Sequence, residues 1–229
     1  MNSLSEMEVK EMLIYRISVY DLLRRLFLWE YSLELFKELI SWAKTGQSGE
    51  VHESWAETEL RKSLLTISTE EIQNSYNEIK IEYTRLFVGP YHLDTPPYES
   101  VYRSSNKLMM QDETLSVRSF YMENGYKIND SCKEPDDQVG IELEFMYLMS
   151  KKALDAFQEQ SSEKLINLLS VQKEFMDNHL FKWLPEFCQD ILKSSRNQFW
   201  KNISQFTKKF IEEDKGEIGQ IQGMMKESI

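Results

Sequence analysis

Residues 82–102 read EYTRLFVGPYHLDTPPYESVY, and they join the clearest helical pattern of the chain to an aromatic, proline-rich loop. The helix is predicted to end near Val88, because Gly89 can close it in the left-handed conformation and Pro90 cannot continue it. Beyond this point the prolines keep the backbone extended between aromatic rings. A stiff loop loses little entropy on binding an extended peptide, so we predict a peptide-binding surface here. A structural turn whose rings cap the core is the other interpretation, and composition alone favours it.

The composition excludes several classes of protein. A chain of 229 residues can bury a core that needs no disulfide or metal. Cys132 and Cys188 lie far apart, without a CxxC pair or a Cys/His cluster, which argues against a zinc site and predicts a cytoplasmic protein. The sequence shows no leader pattern, so we do not expect export. It has no apolar run of roughly 20 residues, so we do not expect a membrane span. The net charge of -11 argues against nucleic-acid binding and favours a basic partner.

The acidic residues are unevenly distributed along the chain. Residues 112–144 contain nine acidic and three basic residues, a net charge of -6, about half of the total of -11. A solvated acidic surface is the usual explanation of such a run. A docking surface for a basic partner is the alternative.

Apolar residues recur every three or four positions through most of the chain, so we predict an all-α fold. The predicted helices are 7–30, 32–43, 54–65, 69–87 with a Thr69 cap, 106–123, 136–157, 162–180, 184–193 and 198–213. We predict one globular helical domain over residues 1–213, with halves at 1–124 and 136–213 joined by a polar hinge around 125–135. Residues 214–229 contain three glycines and are expected to form a loose tail.

Two polar residues fall on apolar helix faces. Glu142 lies near the middle of an apolar arc, where a carboxylate must be hydrogen-bonded, paired or protonated. His179 follows Phe175 and Met176 by four and three residues, on the core side of its helix. We predict that Glu142 and His179 belong to a structural polar core and pair with each other. A less favoured alternative is a small-molecule enzyme that uses them as acid and base, which requires a water-accessible cleft.

Motifs of catalytic and cofactor chemistry are absent from the sequence. None of its three histidines belongs to a Glu-x-x-His pair of the di-iron type. The phosphate loop GxxxxGK[ST] and the motifs GxGxxG, HExxH and GxSxG are also missing. We therefore expect a binding protein without catalytic residues, metal or cofactor.

Two motifs together resemble the TorD/DmsD family of cytoplasmic chaperones for bacterial molybdoenzymes. They are YTRLFVGPYHLDTPPYESVY at residues 83–102 and EPDDQVGIELEFMYLM at residues 134–149. A third stretch, FMDNHLFKWLPEF at residues 175–187, is similar to the family's histidine-leucine pair followed by tryptophan and proline. The resemblance covers residues 76–210, and the three motifs occur in the family's order and spacing.

The resemblance implies a system-specific chaperone of all-helical fold, and no catalysis. Such a chaperone binds the twin-arginine signal peptide of a molybdopterin oxidoreductase, and often the body of that enzyme, and delays export until the cofactor is inserted. Some members exchange halves, so a monomer and a domain-swapped homodimer are both open. The identity of the client reductase and weak nucleotide binding stay open as well. A helical adaptor unrelated to export is the alternative function.

The resemblance also implies which residues bind the peptide. Carried over by motif, they are Tyr83, Leu86, Phe87, Pro97, Tyr98, Asp137 and Gln138. A basic and apolar peptide needs carboxylates beside a ring-lined groove, so we expect Glu99, Asp136 and Asp137 to attract the arginines at an exposed rim. Gln138 and Tyr98 depart from the family pattern, in which histidine and tryptophan are common, and these departures bear on pH response and peptide preference.

Overall fold

The computed structural model describes residues 5–28, 32–45, 55–90 and 93–227. These ranges are mainly helical and contain no strand, which confirms the all-α prediction. In them the α-helices are α1 (Glu6–Phe27), α2 (Leu33–Thr45), α3 (Trp55–Leu65), α4 (Ile72–Tyr83), α5 (Glu99–Arg103), α6 (Asp112–Glu123), α7 (Val139–Gln158), α8 (Ser162–Phe175), α9 (Phe181–Ser194) and α10 (Gln198–Glu227).

Two π-helical turns, Thr84–Val88 and Met176–Leu180, continue α4 and α8. The first of these turns ends where the sequence predicts. Gly89 follows it with a φ of 85°, the left-handed conformation that glycine adopts without strain.

Three helices, α4, α6 and α7, begin well after their predicted starts. The Thr69 cap is not used, because Glu71 precedes α4 without a capping side chain. Residues 106–111 do not join α6, since Lys107 and Met110 have φ angles of 51° and 58°, outside the helical region. In α7 the first free N–H groups are capped by Gln138, so this helix starts after the proline and the two aspartates that were predicted to open it.

The described residues form two compact units. The first contains residues 5–28, 98–184 and 211–227, and the second contains residues 32–45, 55–90, 93–97 and 185–210. Two of the boundaries therefore fall within α9 and α10. The segment predicted as a hinge, around residue 130, lies inside the first unit, and its role as a hinge stays a prediction.

The first unit is built on α1, which packs along α7, while α7 packs along α8. A capping box between Ser5 and Glu8 opens α1. The buried face of α1 recurs at helical spacing and consists of Val9, Leu13, Arg16, Val19, Tyr20, Leu23, Leu26 and Phe27. Each fully buried apolar side chain contributes roughly 1.5–3 kcal/mol relative to an exposed one. This burial, more than intrinsic helix propensity, stabilises α1 in the unit.

The end of the chain differs from the expected loose tail, because α10 continues to Glu227. Asp214, Ile218, Ile221 and Met225 recur at spacings of three and four and are buried. The glycines of this segment fall on its exposed side. Each exposed glycine costs about 1 kcal/mol relative to alanine, and the burial of the apolar face offsets this cost.

The second unit has an aromatic core. Phe36 of α2 contacts the rings of Tyr76 in α4 and Phe199 in α10, with centroid distances of 6.3 and 6.2 Å. The indole Nε1 of Trp200 donates a hydrogen bond of 3.1 Å to the carbonyl of Ile79, so its polar atom is satisfied in the core. These contacts hold the first turns of α10 against α4.

Candidate functional site

The two segments that carry the sequence motifs meet within the first unit. Tyr98 and Gln138 form an isolated antiparallel bridge. Next to it, the backbone N–H of Glu99 donates to the carbonyl of Asp137 at 3.0 Å. The residues that lead into α5 and α7 are therefore joined through their backbones, although about forty positions separate them in the sequence.

Asp137 is fully buried and uses both carboxylate oxygens inside the protein. Oδ2 accepts the backbone N–H of Ser100 at 2.8 Å, and Oδ1 accepts the hydroxyl of Thr114 at 2.9 Å. The carboxylate thus satisfies a free N–H at the start of α5 and ties it to α6. This corrects the expectation that Asp137 stands at an exposed rim.

Asp136 is also buried, and Arg118 of α6 is its partner. Nε and Nη2 of Arg118 both donate to Asp136 Oδ2, at 3.0 and 2.6 Å. The hydroxyl of Tyr121 donates to the Asp136 carbonyl at 3.2 Å. Burial raises the pKa of Tyr121 well above its usual range, so it remains a hydrogen-bond donor at neutral pH.

Gln138 is buried and caps α7 while contacting the end of α1. Its Oε1 accepts the N–H groups of Gly140 and Ile141, and its Nε2 donates to the carbonyl of Phe27 at 2.9 Å. An amide has both the donor and the acceptor that this position requires. Because glutamine does not titrate, these contacts are independent of pH.

Glu99 is fully buried between two cationic or ionisable groups. Its carboxylate accepts from Arg103, one turn along α5, and its Oε2 lies 3.0 Å from His179 Nδ1. Arg103 also donates to the carbonyl of Asn178, at 3.1 Å. Glu99 therefore joins α5 to the π-helical turn that carries His179, and it is not an exposed acceptor for a peptide.

Glu142 is fully buried, but His179 is not its partner. Trp183 Nε1 donates to Glu142 Oε2 at 3.1 Å, whereas His179 contacts Glu99. No partner of Oε1 occurs in the described ranges. Burial raises the pKa of Glu142 well above its usual range, and the Glu99 charge raises it further. Glu142 and His179 are both buried, so they do not line the water-accessible cleft that the enzyme alternative requires.

The predicted residues of the second unit form an aromatic core. Tyr83, Leu86 and Phe87 are buried, and Phe87 contacts the rings of Tyr83 and Trp200 at 5.1 and 5.2 Å. The π-helical turn is anchored where the Thr95 hydroxyl donates to the carbonyl of Leu86, at 2.7 Å. These rings hold the ends of helices together.

Only one of the nine residues predicted to bind the peptide keeps substantial exposure. Tyr98, in the first unit, is half-buried, and its hydroxyl donates to Glu134 Oε2 at 2.9 Å. Pro97, in the second unit, is buried. The other carried-over side chains build the scaffold of their own unit.

An exposed apolar surface was not predicted from the sequence. It consists of Leu108, Met109, Met110, Leu115 and Met122, and we call it the α6 surface. The sequence shows a leucine followed by two methionines at 108–110, but these residues were assigned to the predicted helix over 106–123. An apolar residue on a solvent-facing side cannot be told from a core residue by type alone.

The described part of the chain shows neither a metal-binding cluster nor a membrane-spanning helix. Across the described ranges, no cluster of histidine, cysteine, aspartate or glutamate side chains is suited to hold a metal ion. Within the same ranges, no helix has the length and apolarity needed to cross a membrane. Cys132 is exposed, Cys188 is buried, and both are free thiols.

Comparison with known proteins identifies the family. A family model described as nitrate reductase delta subunit matches residues 49–189, more than half of the chain. Chaperone protein TorD of Psychrobacter sp. (strain PRwf-1) is 28% identical over 141 residues, which cover 60% of this chain and 61% of that protein. Tat proofreading chaperone DmsD of Salmonella typhi is 27% identical over 126 residues, which cover 55% of each chain.

A third relative matches over a longer range. Probable Tat proofreading chaperone DmsD of Haemophilus influenzae is 21% identical over 201 residues, which cover 87% of this chain and 90% of that protein. The chain spans about three fifths of the length of the TorD relative and just over half of the Salmonella DmsD. On the family model and these relatives together, the chain belongs to the TorD/DmsD family.

Proposed function

We propose that this protein is a system-specific chaperone that binds the twin-arginine signal peptide of a molybdopterin oxidoreductase. The observation that carries the proposal is the family match over residues 49–189, together with relatives named as chaperones and, for DmsD, as Tat proofreading chaperones. Bound to the signal peptide and the body of its client in the cytoplasm, the chaperone delays export until the cofactor is inserted. It performs no catalysis and needs no cofactor of its own.

The charge of the chain supports a basic peptide as the ligand. The formal net charge is -11, and residues 112–144 contribute a formal -6. A field of this sign attracts a peptide with an arginine pair and accelerates its association. Charges at an exposed surface set the on-rate and specificity, so most of the affinity comes from apolar contacts with the hydrophobic part of the peptide.

The buried polar cluster supports a scaffolding role in that function. Glu99, Asp137 and Glu142 each have internal partners, which join α5, α6, α7 and α9. Such contacts fix the shape of the first unit, and a rigid unit binds a peptide with a smaller entropy loss. The motif residues then act by positioning the surface that meets the peptide.

The test is calorimetric titration of the full chain with synthetic twin-arginine signal peptides from several molybdoenzymes. Each peptide is paired with a control in which lysines replace both arginines, and each titration is made at two salt concentrations. We expect tight binding to one peptide, and weaker binding when lysines replace its arginines. The enzyme from which that peptide comes is then identified as the client. Equal binding of the arginine and lysine forms would support a helical adaptor. Failure to bind any peptide would contradict the proposal.

A further inference from the structure

The α6 surface is unusual in how much apolar area it exposes in one short segment. Its five side chains lie between residues 108 and 122, and each is between 42% and 68% exposed. Three of them are methionines, whose flexible thioether side chains adapt to ligands of variable shape. Large exposed apolar patches mark binding surfaces more often than chance.

The backbone holds this surface in a fixed form. Leu115 and Met122 are seven residues apart on α6, two helical turns, so they share one face. The loop before α6 has left-handed backbone at Lys107 and Met110, with φ angles of 51° and 58°. Residues other than glycine rarely adopt this conformation, and it persists where the surrounding structure imposes it. The loop therefore has a defined shape beside the helix.

A cavity of about 440 Å³ opens beside the C-terminal part of α6. Met122 and Arg118 line it from α6, and the segment from Tyr126 to Asp136 supplies the other walls. The cavity thus adjoins the α6 surface through Met122, which belongs to both.

The cavity has carboxylates suited to a guanidinium group. Arg118 already binds Asp136 through Oδ2, and in the described part of the chain no contact is made by Oδ1. Lys127 pairs with Asp130 at 2.7 Å. Glu134 also lines the cavity, and its contact among the described residues is with the uncharged hydroxyl of Tyr98. One carboxylate of the wall is therefore left without a cationic partner in the described ranges.

We infer that the α6 surface and this cavity together bind the signal peptide. An arginine side chain of the peptide enters the cavity and contacts Glu134 and Asp136, and the apolar segment of the peptide lies along Leu115, Met122 and the preceding loop. The site and the peptide match in charge and in the order of their parts. In the site, carboxylates lie next to an apolar strip, and in the peptide the arginines lie next to the apolar segment. This inference rests on the proposed function and names the surface that performs it.

The apolar half of the site is tested with a methionine pair. The double variant Met110→Gln/Met122→Gln keeps side-chain length at two exposed positions and removes their apolar character. The control is Met7→Gln on α1, because Met7 is 68% exposed, as is Met110. We expect the double variant to bind the cognate peptide at least about tenfold more weakly, and the control to bind as the unchanged protein does.

The charged half is tested with Glu134→Gln, which keeps an acceptor for the Tyr98 hydroxyl and removes the charge. The control is Glu174→Gln, an exposed glutamate on α8. We expect Glu134→Gln to reduce the preference for arginine over lysine by about threefold to tenfold, and the control to leave it unchanged.

The outcomes separate this inference from the proposed function. If the unchanged protein binds a peptide and the double variant Met110→Gln/Met122→Gln binds it with the same affinity, the site assignment is wrong and the proposed function stands. If the unchanged protein binds no peptide, both fail. If the double variant instead abolishes a concentration-dependent dimer seen by sedimentation and leaves peptide affinity intact, the α6 surface is an interface between copies of this chain. The inference is then overturned.

Discussion

Trp183 donates its indole N–H to Glu142 across 3.1 Å in the core of the first unit. The carboxyl group is fully buried, and burial together with the Glu99 charge raises its pKa well above the usual range. Because the pKa is raised in the folded state, the protonated carboxyl group stabilises the fold below the unfolded pKa. This contribution is lost as the pH rises through the folded pKa.

Replacement of Glu142 by glutamine removes this dependence on pH. An amide oxygen can still accept from Trp183, and no charge needs to be buried. Between the unfolded and folded pKa values of one carboxyl group, the free energy of unfolding falls by up to about 1.4 kcal/mol per pH unit. In the unchanged protein, the free energy of unfolding should fall as the pH rises above about 5. We expect Glu142→Gln to reduce the slope of this fall by up to about 1.4 kcal/mol per pH unit, as measured by urea denaturation at several pH values. Glu144→Gln, at a half-exposed neighbouring position, is the control and should follow the unchanged protein.

A second buried charge fixes the end of α10 to α1. Arg16 and Asp214 form a fully buried ion pair, Arg16 also donates to Gln172 at 2.7 Å, and the Tyr20 hydroxyl donates to Asp214 at 2.7 Å. Removing one partner of such a pair leaves an uncompensated charge, which costs about 3–5 kcal/mol.

We therefore expect Asp214→Ala to lower the free energy of unfolding by about 3–5 kcal/mol. Glu212→Ala, exposed on the same helix, should change it by less than about 0.5 kcal/mol. The double variant Arg16→Met/Asp214→Leu removes both charges and should recover much of the loss. If Asp214→Ala behaved as Glu212→Ala does, residues 214–227 would form the loose tail that the sequence suggested.

A side chain has no room at Gly140, at the start of α7. A Cβ there would lie 2.6 Å from Leu28 Cγ and 2.9 Å from its backbone nitrogen. We expect Gly140→Ala to lower the free energy of unfolding by about 1–3 kcal/mol, because the start of α7 must move away from the end of α1. At Gly219 of α10 a Cβ meets open space, so Gly219→Ala should stabilise the helix by about 0.5–1 kcal/mol. Chemical denaturation should give changes of opposite sign for the two variants, and a Gly140→Ala protein as stable as the unchanged one would contradict the close approach of α7 to Leu28.

The sequence predicted the helical class because helical periodicity is a local property. The end at Gly89 was predictable for the same reason, since a glycine and a proline determine it through their own backbone preferences. The end of α10 was not, because Asp214 is stabilised by Arg16, a residue nearly two hundred positions away. Local composition cannot reveal such a partner.

The candidate site shows the same division. The burial of Glu142 followed from its place on an apolar arc, but its partner depended on how helices meet. His179 and Glu99, whose contact was not predicted, are eighty positions apart. Asp136 and Asp137, which precede α7, could be identified as functional candidates, whereas their burial could not, because it depends on what packs over them.

A variant of Asp137 can show whether this residue positions other groups or contacts the peptide directly. Its two oxygens accept from Ser100 and Thr114, and both donors lose a buried partner in Asp137→Ala. We expect this variant to lower the free energy of unfolding by about 2–4 kcal/mol, and the fraction that stays folded should still bind the peptide, with a small loss of affinity because α6 is no longer tied to α5. Asp155→Ala, an exposed position on α7, is the control for removal of one negative charge. Denaturation curves and titrations corrected for the folded fraction measure the two effects separately. An Asp137→Ala protein that is as stable as the control but fails to bind would mean that this carboxylate contacts the peptide itself.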